Sequence, residues 1–510
     1  MRKLTALLLA LIFLLSLGAC GQPQPVPTQS QPPEPTSAPE PDRPFALGYD
    51  PTASLHPFTG DSQVNLDLAG LVYQGLYELN NEFEPLPVLA RSARVDESGL
   101  LWTIEIREGV RFSDGTPLTA DHVAASLKAA RLSGLYGARL SAVSAVRTEE
   151  GAVVVTLSAP NGKLPALLDI PVVLEQEEGP PLGTGRYRFV AEDGELSLRA
   201  NGNYEGWQEL PYENIPLREV PTADRRIAAF DGGEVTAVTT DFSAAYTLGY
   251  SCSYEIYDYP TTNLLYVGFQ TTKGACASAE VRRACSLAFD RVSVVQSLLA
   301  GHGDPAALPI HPNHEAYDAT AAARLDYDIQ GAQDLLEQAE YTLNEEDGLR
   351  YKGRTPLAMT ILVNRGSTAK QSIARYLARS LEGIGVTVTV RELGWTDYTR
   401  ALEKGDFDLY IGEIRLTGDF DTTELLIGSL NYGGYTSETL PALLAAWKTA
   451  PGAAGTEAAD LWAALAAEVP IAPLCFKRNS LLVRWGMASG MQPTRGDPFR
   501  GMERWQVITK

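Results

Sequence analysis

At 510 residues the chain is too long for one hydrophobic core and fits two or three. Apolar residues at 45% and charged residues at 21% describe a folded protein and exclude disorder over most of its length. The formal charge of −21 excludes a nucleic-acid partner, since phosphate binding needs clustered lysine and arginine, and its plainest meaning is an acidic solvated surface.

Arg2-Lys3 precedes an apolar run from Leu4 to Leu17, the charged start and short hydrophobic stretch of an export signal, too short to span a bilayer. Leu17-Gly18-Ala19-Cys20 ends it. Small residues at 18 and 19 admit a peptidase to the bond before Cys20, whose thiolate then takes a lipid, and the arrangement resembles a bacterial lipobox. Residues 1–19 are therefore expected to be a signal peptide and Cys20 the lipidation site, holding the chain to the cell membrane on its extracytoplasmic side. Gly21 to Pro44 carries nine prolines and no hydrophobic periodicity. With Cys20 it reads as a tether over 20–44, which at about 3.1 Å per residue reaches roughly 70 Å. Four further cysteines, Cys252, Cys276, Cys285 and Cys475, show no CxxC spacing, so free thiols and disulfides both stay open.

Phe45 to Tyr49 reads as a first strand. Ser62 caps a predicted helix with Val64, Leu68, Leu71, Val72 and Leu76 inward, and a strand pair turns at Asn80-Asn81. Trp102, Ile104 and Ile106 alternate with polar neighbours, the period of a half-buried strand. Ser113 to Pro117 supplies turn residues, and Thr119 caps a helix with Val123, Leu127 and Ala130 on one face. Strands over 143–148 and 152–158 follow. The stretch Leu100 to Leu127, LLWTIEIREGVRFSDGTPLTADHVAASL, resembles the signature of the family 5 extracellular solute-binding proteins, the peptide, nickel and related binding components of ABC importers.

Later segments carry the same resemblance. Gly183-Thr184-Gly185-Arg186-Tyr187 is similar to the family's Gly-Thr-Gly-x-Tyr, and helix 222–230 with Gly233-Glu234-Val235 to its Gly-Glu-Val-Asp, although Thr236 stands in place of the aspartate. Thr262-Asn263 to Thr272 reads as a strand and resembles the family's crossover between lobes. Helices over 278–289, 290–299 with Asp290 as cap, and 327–339 follow. A strand at 359–363, a helix at 369–381 and a strand at 386–391 form a βαβ unit; with helix 395–403 and strand 407–414 the two crossovers predict a mostly parallel sheet. Helices near 437–448 and 455–468 precede Val469 to Leu474, which resembles the segment returning the chain to the first lobe.

The resemblance implies an α/β, two-lobed periplasmic-binding-protein-like fold of type II, cluster C, with an extra α+β subdomain in the first lobe. The expected boundaries are 45–260 for lobe I, its extra subdomain at about 61–180, 261–474 for lobe II and 475–510 for the return to lobe I. It also implies a monomer without cofactor. Its partners are a peptide or other small solute and a membrane permease with its ATPase.

In peptide-binding members the aspartate at the position of Asp419 receives the ligand's α-ammonium, and Thr417-Gly418-Asp419 keeps that local pattern. Thr417, Arg415, Tyr49 and Trp395 complete the expected ligand-binding set. Leu416 where an aromatic is common, and Asp421-Thr422 for Asp-Pro, depart from the peptide pattern and leave a nickel complex or an oligosaccharide open. Glu413 and Arg415 lie two apart on a strand and share a face, so they are expected to pair with each other ahead of Arg415 holding a ligand carboxylate. His311-Pro312-Asn313-His314 falls short of the three or four convergent ligands a metal needs. No HExxH, GxSxG or Walker sequence is present. The residues by themselves also admit an exported hydrolase or adhesin on the same tether; the chain-long series of family segments without a catalytic motif favours the transport receptor.

Overall fold

Buried side chains gather into two large cores. The computed structural model describes residues 44–242, 249–452 and 455–507; the export signal, Cys20 and most of the tether lie outside the described residues. One core draws on Phe45 to Ala237 and again on Leu481 to Trp505. The other runs from Leu264 to Phe476, and Phe83 joins it from the first part of the chain. The fold is α/β with two lobes.

In the first lobe, strand Leu101–Ile106 buries Trp102 and Ile104 and leaves their neighbours partly exposed, as its alternation requires. It sits in an antiparallel sheet between Ala90–Val95 and Ala152–Leu157, with Val143–Glu149 beyond. Helix Ala120–Leu132 begins at Thr119, whose N–H donates to His122 Nδ1 at 3.2 Å, and its apolar face packs against this sheet. A second sheet pairs Leu47–Tyr49 in parallel with Asn214–Glu219, followed antiparallel by Glu195–Ala200 and Tyr187–Glu192. Gly183 and Gly185 press against the end of helix Gln63–Val72. A Cβ on Gly183 would stand 1.9 Å from the Val72 carbonyl oxygen, which is why that signature position must lack one.

Two long strands, Tyr254–Phe269 and Ile471–Arg484, pair antiparallel and belong to both lobes. At their first-lobe end Ala237–Thr240 joins the return strand; at the other end Leu409–Arg415 joins Tyr254–Phe269. Between Pro260 and Leu264 the register breaks, so that three residues, Thr261 to Asn263, face Lys477 alone. Thr261 Oγ1 donates to the Lys477 carbonyl at 2.6 Å and Thr262 Oγ1 to that of Leu416 at 2.6 Å. The ladder is thus interrupted, and held by side chains, at the one level where the chain passes between cores.

The expected mostly parallel sheet is corrected. Among the described residues of this sheet the parallel pairings are those of Ala358–Asn364 with Thr387–Leu393, across helix Thr368–Glu382 in the βαβ unit, and with Leu409–Arg415. The other pairings of this seven-stranded sheet are antiparallel, because the two strands shared with the first lobe enter it in opposite directions.

Candidate ligand-binding site

A cavity of about 970 Å³ opens between the lobes. Its first-lobe wall comes from helix Gln63–Val72, the loop around Arg139, Asp169 and the C-terminal loop Thr494 to Arg504; Arg415, Leu416 and Thr417 supply the second-lobe wall. Charge on this wall is uneven. Arg139 and Arg495 both bond the single carboxylate of Asp169, Arg495 at 3.1 Å. Their Nε groups are buried and find no acceptor among the described residues. Arg415 Nε donates to Asn263 Oδ1 at 3.2 Å and has no carboxylate at ion-pair distance among the described residues. Burial, then the charge of Arg495, pushes the guanidinium groups of both Arg415 and Arg139 down from the usual arginine range. Elsewhere on the lining Arg186 pairs with Asp497, and Arg500 with Glu78 at 2.7 Å.

Beside the cavity the lobes touch along a seam. Gly162 N–H donates to the Lys448 carbonyl at 2.9 Å, and Lys163 Nζ to those of Trp447 at 2.6 Å and Ala450 at 2.9 Å. Asn161 Nδ2 donates to Asp419 Oδ2 at 3.3 Å. A Cβ on Gly418 would stand 2.4 Å from the Ala166 carbonyl oxygen, and one on Gly162 2.5 Å from that of Thr449. Phe83, in the left-handed region at φ 63°, sets its ring edge-on to Phe420 at 5.1 Å.

The anticipated site residues divide. Arg415 and Thr417 line the cavity. Asp419 lies behind Thr417, 4% exposed, accepting the Thr417 hydroxyl as well as Asn161; burial holds its carboxyl above the usual range, against the Thr417 bond. Tyr49 and Trp395 are elsewhere. Tyr49 donates its hydroxyl to Glu219 at 3.2 Å, and Trp395 stands 65% exposed on helix Trp395–Glu403, stacked on Tyr398. The expected pairing of Glu413 with Arg415 is corrected: Glu413 bonds Lys370 at 2.6 Å and Lys477 at 3.1 Å, both better placed than Arg415. His311 and His314 are buried among Phe83, Phe420 and Phe476, and among the described residues no cluster of three or more ligating side chains forms. Cys252, Cys276, Cys285 and Cys475 are free thiols.

Arg139, Asp169 and Arg495 were not legible as site residues. Each is a lone charge in a loop, and only the two-lobed fold brings residues 139, 169 and 495 on one wall to the same cavity as residue 415 on the other.

The model of the bacterial extracellular solute-binding proteins, family 5, matches residues 84–436. The chain belongs to this family. This family 5 solute-binding protein is 24% identical over 370 residues to the oligopeptide-binding protein AppA of Bacillus subtilis, covering 67% of each chain. It is 26% identical over 355 residues to the glutathione-binding protein GsiB of Escherichia coli strain K12, covering 66% of this chain and 67% of that one. Among solved structures, HbpA2 from Haemophilus parasuis superposes with a TM-score of 0.72 at 20% identity, over 91% of this chain and 99% of that one. Among the described residues no helix is long and apolar enough to cross a membrane.

Proposed function

We propose that this solute-binding protein captures a peptide in the cavity between its lobes and delivers it to the permease and ATPase of an ABC importer. The carrying observation is the cavity itself: about 970 Å³, charged, and walled by both lobes, at the upper end of the range for small-molecule sites. The names of AppA and GsiB, an oligopeptide-binding and a glutathione-binding protein, support a peptide. Arg415 and Thr417 contact the ligand from the second lobe. Asp419, behind Thr417, receives the ligand's α-ammonium while the cleft is open and keeps that charge-assisted bond beside the Asn161 amide once the seam forms. The proposed site does not include Tyr49 or Trp395.

The lobes, 45–260 with 475–510 and 261–474, turn about Thr261 to Asn263 and the facing Lys477, where the ladder is already broken. The protein works as a monomer, anchored outside the membrane by a lipid on Cys20. The unmatched arginines favour one second reading, an anionic solute that is not a peptide. Mass spectrometry of what the purified protein releases on denaturation, followed by calorimetry with the identified compounds, tests the assignment. Short peptides are expected; sugars or metal chelates alone would refute it.

A further inference from the structure

We propose that Asp67 and Gln63, on the first-lobe wall, form a cation subsite that takes the ammonium or guanidinium group of a side chain on the bound solute, with Leu66 beneath the alkyl stem. The proposal rests on the reading of the interlobe cavity as the solute site and adds a preference for solutes with a cationic side chain. Gln63, Leu66, Asp67 and Gly70 fall three and four apart on helix Gln63–Val72, which turns this stripe to the cavity. Asp67 is 8% exposed. Its Oδ1 accepts from Gln63 Nε2 at 2.7 Å and its Oδ2 from the Thr239 hydroxyl, both neutral donors. Among the described residues no lysine, arginine or histidine stands at ion-pair distance from it; Arg226, on helix Ala223–Asp231, attracts it from farther off, and Tyr259 on strand Tyr254–Phe269 lies within range of its charge.

Other carboxylates on the lining have partners. Asp169 bonds Arg139 and Arg495, Asp497 bonds Arg186, Glu78 bonds Arg500 and Glu205 bonds Arg107. Glu503 takes the Tyr204 hydroxyl, and Glu209 is exposed. Burial pushes the Asp67 pKa up from 3.8 to about 6, against the bonds from Thr239 and then Gln63 and the pull of Arg226. At neutral pH Asp67 is therefore an anion set into the wall with neutral donors alone, a costly arrangement that a cation reverses. An asparagine would also bond both Gln63 and Thr239, so the charge adds nothing to the hold of the helix on strand Ala237–Thr240. Gln63 spends its amide N–H on Asp67 and leaves Oε1 without a donor among the described residues, a second acceptor for the same cation. A lysine-type side chain suits this stripe, since its methylenes lie along apolar surface while its head seeks a carboxylate.

The experiment has two arms on the full soluble chain, stripped of bound solute by unfolding and refolding. In the first, the protein captures peptides from a synthetic library of two to about nine residues containing lysine, mixed with its counterpart carrying norleucine, which has the same stem and no ammonium; both keep the α-ammonium. Mass spectrometry should show lysine peptides enriched about tenfold on the native protein, and the preference lost in Asp67→Asn and in Gln63→Lys, whose new ammonium reaches Asp67 from one turn away and fills the site. Gln63 is exposed, so that variant folds whatever becomes of Asp67→Asn. Equal capture of the two libraries by the native protein, or the same preference in Gln63→Lys, overturns the proposal. In the second arm n-butylammonium chloride, the lysine head and stem alone, is titrated against native protein and Gln63→Lys, with 1-butanol as the uncharged match. Saturable binding of the cation to the native protein only is expected, and its absence overturns the proposal. Capture of neither library would refute the peptide reading, and the second arm, which needs no peptide, would still decide the cation subsite.

Discussion

Lys163 makes closure depend on pH with a sign that can be worked out. Its Nζ lies 3.9 Å from the centre of the Trp447 ring and donates to two carbonyls at the end of helix Leu440–Thr449, where backbone acceptors lack partners within the helix. Burial lowers its pKa from the ordinary 10.5 to about 8, against the pull of Asp419 and then Glu457. In the open form Lys163 meets water and regains the ordinary value. Between pH 8 and 10.5 the closed form therefore binds fewer protons than the open one, so raising pH through this window favours closure; below pH 8 Lys163 is charged in both forms and contributes no slope. The difference, 10.5 less about 8, is worth about 3.4 kcal/mol at full burial and about 2 kcal/mol once water at the edge of the seam is allowed for. That is about a thirtyfold rise in the closed-to-open ratio. His314, pushed down to about 4 by burial and by Lys163, stays neutral throughout. The assay is energy transfer between dyes on the two lobes, ligand-free, from pH 7 to 10.5, in native protein and Lys163→Met. The native ratio should climb above pH 8 and the variant stay flat; a flat native profile, or the same climb in both, refutes the reasoning.

Gly418→Ala puts a methyl group 2.4 Å from the Ala166 carbonyl oxygen, so this variant should fold, remain open and lose ligand affinity, as scattering and calorimetry would report; normal closure would mean that the seam is not the closed interface. Asp419→Asn removes a charge that meets the solute's ammonium, and should cost about 2–5 kcal/mol in calorimetry with an amine-bearing ligand, on the order of 30- to several-thousand-fold. N-acetylating that ligand should weaken native binding and matter far less to the variant. Cys20→Ala should leave a folded protein that no longer incorporates labelled fatty acid, and unchanged labelling would remove the proposed anchor.

Local structure was legible wherever a side chain answers its own neighbours. The alternation at Trp102 and Ile104 gives the strand, Thr119 and Asp290 start the helices they were expected to start, and the unit from Ala358 to Leu393 has the expected order. Sheet direction was less legible, because it depends on pairings such as Leu265 with Cys475, made across about 200 residues of intervening chain with no local signal. The same separation hid the arginine wall. Arg415 was found through the segment leading to Asp419, whereas Arg139 and Arg495 sit in loops whose spacing carries no motif. Asp419 keeps the matched Thr417-Gly418-Asp419 pattern, and its carboxylate accepts from Asn161 across the seam, a partner that no local spacing announces.

Closure about the interrupted ladder at Thr261 to Asn263 is the central claim, and small-angle scattering of the soluble chain with and without a bound peptide tests it most directly. The radius of gyration should fall on binding, as Asn161 to Lys163 dock on Lys448 to Ala450. Saturating binding, verified by calorimetry on the same sample, with no change in the radius of gyration would contradict it.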